Sequence, residues 1–215
     1  MQKTDAIYGA LPIDLGLVDL SPVEMMCWLY CPIKLPGMMS LSLPDNLAQF
    51  RVLVATASLD AVDVWADSFV YLTAKTLWVS PENPGNRPGW HSDGFLTDDL
   101  NYIWSDANPT VFFHDGHRYS FAADHAASLP EMDTLCEASD FDWRTYPDKH
   151  LLRLDQTVLH KVGPVEKAGM RTFIKISVSR HRYALKGNSI NHELAPDWAY
   201  QDRLETRNCP ISPPA

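Results

Sequence analysis

The sequence predicts a mostly β fold with flanking helices, a sandwich or jelly roll, and three observations carry that prediction. From about residue 68, short runs rich in β-branched and aromatic residues alternate with turn residues: Ser68 to Val79, Trp90 to Phe95, Asn101 to Trp104, Thr110 to His114, Tyr119 to Phe121, His150 to Val162 and Arg171 to Tyr183. Proline and glycine punctuate the gaps, most densely over Ser80 to Gly89, and a doubly wound sheet would instead alternate its strands with long helical segments. The 215 residues suit one domain, and a composition of 46% hydrophobic and 21% charged residues can build a core without disulfide or metal staples.

Within that single domain, 1–215, three parts differ in texture. Residues 1–67 read as helical or mixed. The capping-box pattern Ser21-Pro22-Val23-Glu24 predicts a helix over residues 22 to 30. On such a helix Cys27 and Cys31 share a face beside Met25, Met26, Trp28 and Leu29, so they read as core thiols. Leu43-Pro44-Asp45-Asn46 is a second helix start, leading from Leu47 through Ser58. Residues 68–183 hold the strand-like runs, interrupted by an acidic insert from Asp124 to Asp148 that suits a helix or lid. Residues 184–215 form a polar, proline-tipped tail.

Several classes are excluded or disfavoured. No apolar run approaches the roughly 18 residues of a membrane span. The start Met1-Gln2-Lys3-Thr4-Asp5 lacks the layout of a secretory signal, so a cytoplasmic location is expected. Eighteen basic against 27 acidic residues give a net charge of −9, which repels a nucleic-acid backbone. Residues 160 to 186 run the other way, with seven basic residues and only Glu166 as an acid. That stretch suits a small anionic ligand better than a long duplex, and for most of the seven residues a solvated strand edge is the plainer reading. Four cysteines are too few for a disulfide scaffold and show no zinc-site spacing. There is no G-x-S-x-G elbow, phosphate loop or H-E-x-x-H. His114-Asp115-Gly116-His117 reads as a turn.

His91-Ser92-Asp93 carries more chemistry. Residues i and i+2 of a strand project from one face, so His91 and Asp93 can grip one ion together. His160 lies 67 residues beyond Asp93 at the end of an apolar run, and Arg171 follows 11 residues later, after a turn with Gly163-Pro164 and Gly169. Two imidazoles and one carboxylate leave about half of an octahedral shell open, as in non-haem Fe(II) oxygenases. A neighbouring guanidinium can hold a carboxylate with two parallel hydrogen bonds. Each of the four residues alone has a bland explanation as a core histidine, turn aspartate or salt-bridge arginine. Their order and spacing together favour a site.

In that order and spacing, Gly89-Trp90-His91-Ser92-Asp93-Gly94-Phe95, His160 and Met170-Arg171-Thr172-Phe173 resemble the Fe(II)/2-oxoglutarate-dependent dioxygenases. The resemblance covers about residues 68 to 183 and implies a double-stranded β-helix, the cupin-like form of the jelly roll. It implies that His91, Asp93 and His160 bind Fe(II) and that Arg171 binds the distal carboxylate of 2-oxoglutarate. It further implies decarboxylation of that co-substrate by O2, coupled to hydroxylation of a small-molecule or peptide substrate. Two positions depart from the family pattern. Phe173 stands where some members have Ser, and Ser177 stands where nucleic-acid demethylases have a second Arg, which speaks against a nucleic-acid substrate. The second co-substrate anchor is not fixed by motif; Tyr71, Tyr102 and Thr110 are candidates from neighbouring strands. Two other classes stay open: a cupin-like metalloprotein that does not use 2-oxoglutarate, and a non-catalytic β-sandwich binding module.

Overall fold

The structure, a computed structural model, describes residues 2–86, 88–138, 143–194 and 196–203. It is mostly β. Among the described residues, eight strands run β1 Ile13–Leu17, β2 Trp28–Lys34, β3 Phe69–Val79, β4 Leu100–Ser105, β5 Thr110–Phe112, β6 His150–Leu154, β7 His160–Val162 and β8 Gly169–Ser179. A 3-10 turn, Asp45–Phe50, leads into α1 Arg51–Asp60 and α2 Val62–Trp65, and α3 spans His125–Glu137. None of the described helices is long and apolar enough to cross a membrane.

Six strands form one antiparallel sheet in the order β1-β6-β4-β8-β3-β2. At its centre β3 and β8 pair over their full length, from Phe69↔Ser179 to Val79↔Gly169. Period-two alternation then sorts the side chains. Val70, Leu72 and Ala74 of β3, Ile174, Ile176 and Val178 of β8, and Tyr102 and Trp104 of β4 share one cluster with Leu47, Phe50, Leu53 and Val54 of the helical segment. Each fully buried Leu or Phe there contributes about 2 kcal/mol relative to exposure. The opposite face of the same strands carries Thr73 and Lys75, Phe173 and Lys175, and Ile103, and it turns toward the smaller sheet.

The smaller sheet pairs β5 with β7. Single bridges extend it on both sides, His91 beyond His160 and Arg144 beyond Phe112. The chain therefore passes from the large sheet (β3) to the small one (His91), back to β4, on to β5 and Arg144, and then to β6, β7 and β8 in alternation.

Several sequence expectations need correction. Residues 22 to 30 do not form a helix; β2 begins at Trp28 and pairs with β3. Local capping chemistry yields there to the open edge of β3, and Pro32, which has no N–H to give, is tolerated because β2 is itself an edge strand. Cys27 and Cys31 accordingly share no helix face: Cys27 is exposed, while Cys31 and Cys136 are buried. Burial, with a smaller push from Glu193, raises the Cys31 thiol to about 12. A thiol reagent at neutral pH is expected to label Cys27 and to spare Cys31 and Cys136 until the protein unfolds, as peptide mass analysis will show. Cys209 lies outside the described residues.

Trp90 to Phe95 forms only the bridge at His91 before the chain turns, and Tyr119 to Phe121 gives only a bridge from Tyr119 to Tyr8. His150 to Val162 divides into β6 and β7 because Asp155 accepts from the Thr157 N–H and hydroxyl, closing a turn. The N-terminal part supplies both edge strands as well as the 3-10 turn, α1 and α2. Of the basic run 160 to 186, Lys167, Arg180 and Lys186 are exposed, as solvated side chains would be. The β8 portion of the run is central, with Arg171 and Lys175 both buried. The first helix after the Leu43-Pro44 signal and the strands β3, β4 and β5 lie where the sequence placed them.

Candidate metal centre

The bridge between His91 and His160 builds the core of the site. Their backbones exchange hydrogen bonds of 3.0 and 2.9 Å, which sets the two imidazoles side by side with ring centroids 4.6 Å apart. Each ring is also tethered by its own stretch of chain. The His91 Nδ1 lies 2.9 Å from the Gly89 carbonyl oxygen, and the His160 Nδ1 lies 3.1 Å from that of Val158. A carbonyl only accepts, so each Nδ1 carries the proton and each Nε2 keeps its lone pair for a cation. The same second contact orients histidines in metal sites generally.

Asp93 closes the set. It begins a turn in which Gly94 has φ +71°, and a Cβ on that glycine would stand 3.1 Å from Asp99 and Thr97 side-chain atoms. One ligand atom from each of His91, Asp93 and His160 lies within 4.8 Å of the others, and the His160 Nε2 is 3.7 Å from the Asp93 Oδ2. Two imine nitrogens and a carboxylate suit a divalent first-row ion. These residues could hold a metal; the donor set and the fixed tautomers fit one.

Lys175 answers Asp93 from the large sheet, its Nζ 3.1 Å from Asp93 Oδ2 and 2.9 Å from the Tyr30 hydroxyl. Burial alone would raise the Asp93 carboxyl. The Lys175 ammonium outweighs it and holds Asp93 well below the ordinary value. Burial likewise works against the Lys175 charge, and Asp93 and Tyr30 more than compensate, raising it. Tyr30 reaches this position through a register shift in β2 and a left-handed backbone, φ 47°, with its N–H donating to the Thr73 hydroxyl.

The helix of the acidic insert supports the site from behind. Asp124 caps α3 by accepting from the Ala127 N–H. Asp133 then accepts from the Trp90 N–H at 2.9 Å, and Glu137 accepts from the Trp90 indole at 2.8 Å and from Lys161. Asp133 and Glu137 thus grip the residue next to His91, while the Glu137 side chain stays exposed. Asp140 and Asp142 of the insert lie outside the described residues.

A cavity of about 360 Å³ opens over the cluster. His91, Asp93 and His160 lie on one side, with Tyr30, Thr73, Lys75, Phe173 and Lys175 on the large sheet and Thr110 and Val162 across from them. The expected anchors separate sharply. Thr110 lines this cavity. Tyr71 sits behind Tyr30 and Tyr183 in an aromatic cluster, its hydroxyl donating to the His181 carbonyl. Tyr102 points to the helical face, where its hydroxyl donates to Asp60 at 2.7 Å. Alternation along β4 sends Tyr102 and Trp104 away from the site together.

Arg171 shares the inward face of β8 with Phe173 and Lys175 but is not part of the cavity lining. Its Nε donates to the Ala107 carbonyl, whereas Nη1 and Nη2 are buried without a hydrogen-bond partner. The Phe173 ring lies 5.1 Å from its guanidinium carbon. The structure thus brings three of the four sequence-selected residues to one point and sets the fourth on the same strand face, covered by a phenyl ring.

Lys175, Lys75 and Tyr30 were not singled out from sequence. A signal existed for Lys175, because Arg171, Phe173 and Lys175 alternate onto one face of any strand. Lys75 is the single charge in the apolar run Phe69 to Val79. Tyr30 gave none, being hidden in a segment read as helix. No family model and no curated protein gives a significant match to this chain.

Proposed function

We propose that this protein is a non-haem Fe(II) oxygenase that couples 2-oxoglutarate decarboxylation to hydroxylation of a small-molecule or peptide substrate. The observation that carries the reading is the convergence of His91, Asp93 and His160 on one point of a cavity whose other charged lining residues, Lys75, Lys161, Lys175 and Arg203, are positive. In this reading the three would hold iron, which when bound supplies the oxygen chemistry that side chains cannot. The passage of successive strands between the two sheets is the arrangement a double-stranded β-helix requires, and it supports that form of the fold.

The remaining work falls to the chain itself. The Gly89 and Val158 carbonyls keep both Nε2 lone pairs aimed inward. Asp93 offsets part of the cation charge, and in the absence of a cation Lys175 offsets Asp93. The two unpartnered Nη nitrogens of Arg171 support a carboxylate role, since a buried guanidinium that satisfies only its Nε–H is costly unless something binds it. Tyr30 and Phe95 on the cavity wall limit water around the reacting groups.

The covered position of Arg171 favours a second reading, the same centre acting without a keto acid. Anaerobic titration of the Fe(II)-loaded protein with 2-oxoglutarate decides between them. The visible absorption of an iron–keto-acid chelate is expected, and Arg171→Met should raise the half-saturating 2-oxoglutarate concentration about 10- to 100-fold with iron occupancy unchanged. Bound iron with no absorption change would favour the second reading, and no bound iron would leave a non-catalytic sandwich.

A further inference from the structure

We propose that Lys75 holds the far carboxylate of the co-substrate, as the second anchor beside Arg171. The inference rests on the oxygenase reading above and names the residue that sets its selectivity for a diacid.

The inward face of the large sheet is arranged in rows set by strand register. Thr73 pairs with Lys175, Lys75 with Phe173, and Leu77 with Arg171. The first row is the one at the metal ligands, because Lys175 touches Asp93. Lys75 lies one step further along the sheet, a separation of about 6.7 Å for two residues of strand. A five-carbon diacid chelating a metal through its keto end spans such a step. Arg171 lies a second step away, behind the Phe173 ring, which is 5.6 Å from the Lys75 ammonium and 5.1 Å from the Arg171 guanidinium carbon. A carboxylate entering from the metal side therefore meets Lys75 first and reaches Arg171 only when that ring turns.

The charge balance points the same way. Lys175 has Asp93, while Lys75 has one hydrogen bond, to the Gly85 carbonyl at 2.6 Å, and no carboxylate partner among the described residues. An ammonium has three donors, so others remain for a ligand. Burial, followed by repulsion from Arg171 and Lys175, pushes Lys75 down to about 8. Three cations share one inward face. Asp93 answers Lys175, and Asp106 and Asp148, which do not line the cavity, offset Arg171. Lys75 is therefore the one of the three left without a carboxylate among the described residues. An anion relieves that surplus. Thr110, on the opposite sheet, faces the same space.

The test compares 2-oxoglutarate with 2-oxopentanoate, the same carbon chain without the far carboxylate. Binding is read anaerobically by the ligand-induced rise in melting temperature of the Fe(II)-loaded wild type, Lys75→Met, Lys75→Arg and Arg171→Met proteins. Wild type should prefer 2-oxoglutarate by at least about tenfold, the worth of one charge-assisted hydrogen bond. Lys75→Met should lose most of that preference at unchanged iron content, and Lys75→Arg should restore it. Without ligand, Lys75→Met should melt at or above wild type, since it removes a cation that faces two others. Should Lys75→Met not fold, Lys75→Gln, which keeps a donor toward Gly85, reads the same preference. A Lys75 variant that retains the full preference overturns the anchor and leaves the oxygenase reading intact. A wild type that binds no 2-oxoglutarate overturns both.

Discussion

Asp93→Ala is expected to destabilise the metal-free protein by about 3 kcal/mol, lowering its melting temperature by about 5–15 °C. The cause is Lys175. Its side chain is 10% exposed, and without Asp93 its remaining hydrogen-bond partner among the described residues is the neutral Tyr30 hydroxyl. Breaking a buried pair from one side strands a charge, which costs more than the pair itself is worth. The double variant Asp93→Ala/Lys175→Met should therefore recover much of the loss, and a double-mutant cycle should return a coupling of about 2 kcal/mol. The pH dependence has a definite sign. Because Asp93 is held well below the ordinary 3.8, its contribution is complete above 3.8 and is lost as the pH falls from there toward the depressed value. The gap between wild type and Asp93→Ala should thus close in acid. A carboxylate that served metal binding alone would give the opposite result, with the metal-free alanine variant as stable as wild type or more so.

His160→Ala is expected to cut divalent-metal affinity by about 100-fold or more while leaving the fold in place. A four-ligand structural zinc site yields roughly 10–16 kcal/mol, so one ligand is worth about 3 kcal/mol. The backbone of residue 160 keeps its bridge to His91 whatever the side chain, because that bridge uses N–H and C=O groups. Calorimetric titration with Fe(II) or Mn(II) measures the loss, and circular dichroism checks the fold. An unaltered affinity in His160→Ala would remove the histidine from the metal set and with it the proposed function.

How much of the centre was legible in the sequence depends on how local each signal is. His91-x-Asp93, His160 and Arg171 stood out because spacing is a property of the chain. Three of them meet because the His91–His160 bridge forms, and the tethers at Gly89 and Val158 complete it. Tyr102 failed as an anchor for an equally simple reason. Which face of β4 is inward depends on which strands it joins, and pairing with β8 puts Tyr102 beside Ile176 on the helical side. The same register turns Lys75 and Lys175 inward. A lysine on a strand reads as solvated until its neighbours are known.

The N-terminal error has the same origin. Ser21 to Glu24 is a sound helix-start pattern, but β3 offers an unpaired edge along which a seven-residue strand is hydrogen-bonded, and long-range pairing overrides a local cap. That choice carries Tyr30 into the cavity and onto Lys175.

By itself the sequence determined a mostly β chain, its helix after Pro44, its central strands, and the residue types and spacing able to hold a cation, because alternation, turn chemistry and spacing are written locally. Tertiary structure alone decided which sheet face turns inward, that Lys175 partners Asp93, that Phe173 stands between the cavity and Arg171, and that α3 grips Trp90. Those outcomes depend on strand order and register, which are set by contacts between residues tens to more than a hundred positions apart, where no local pattern reaches.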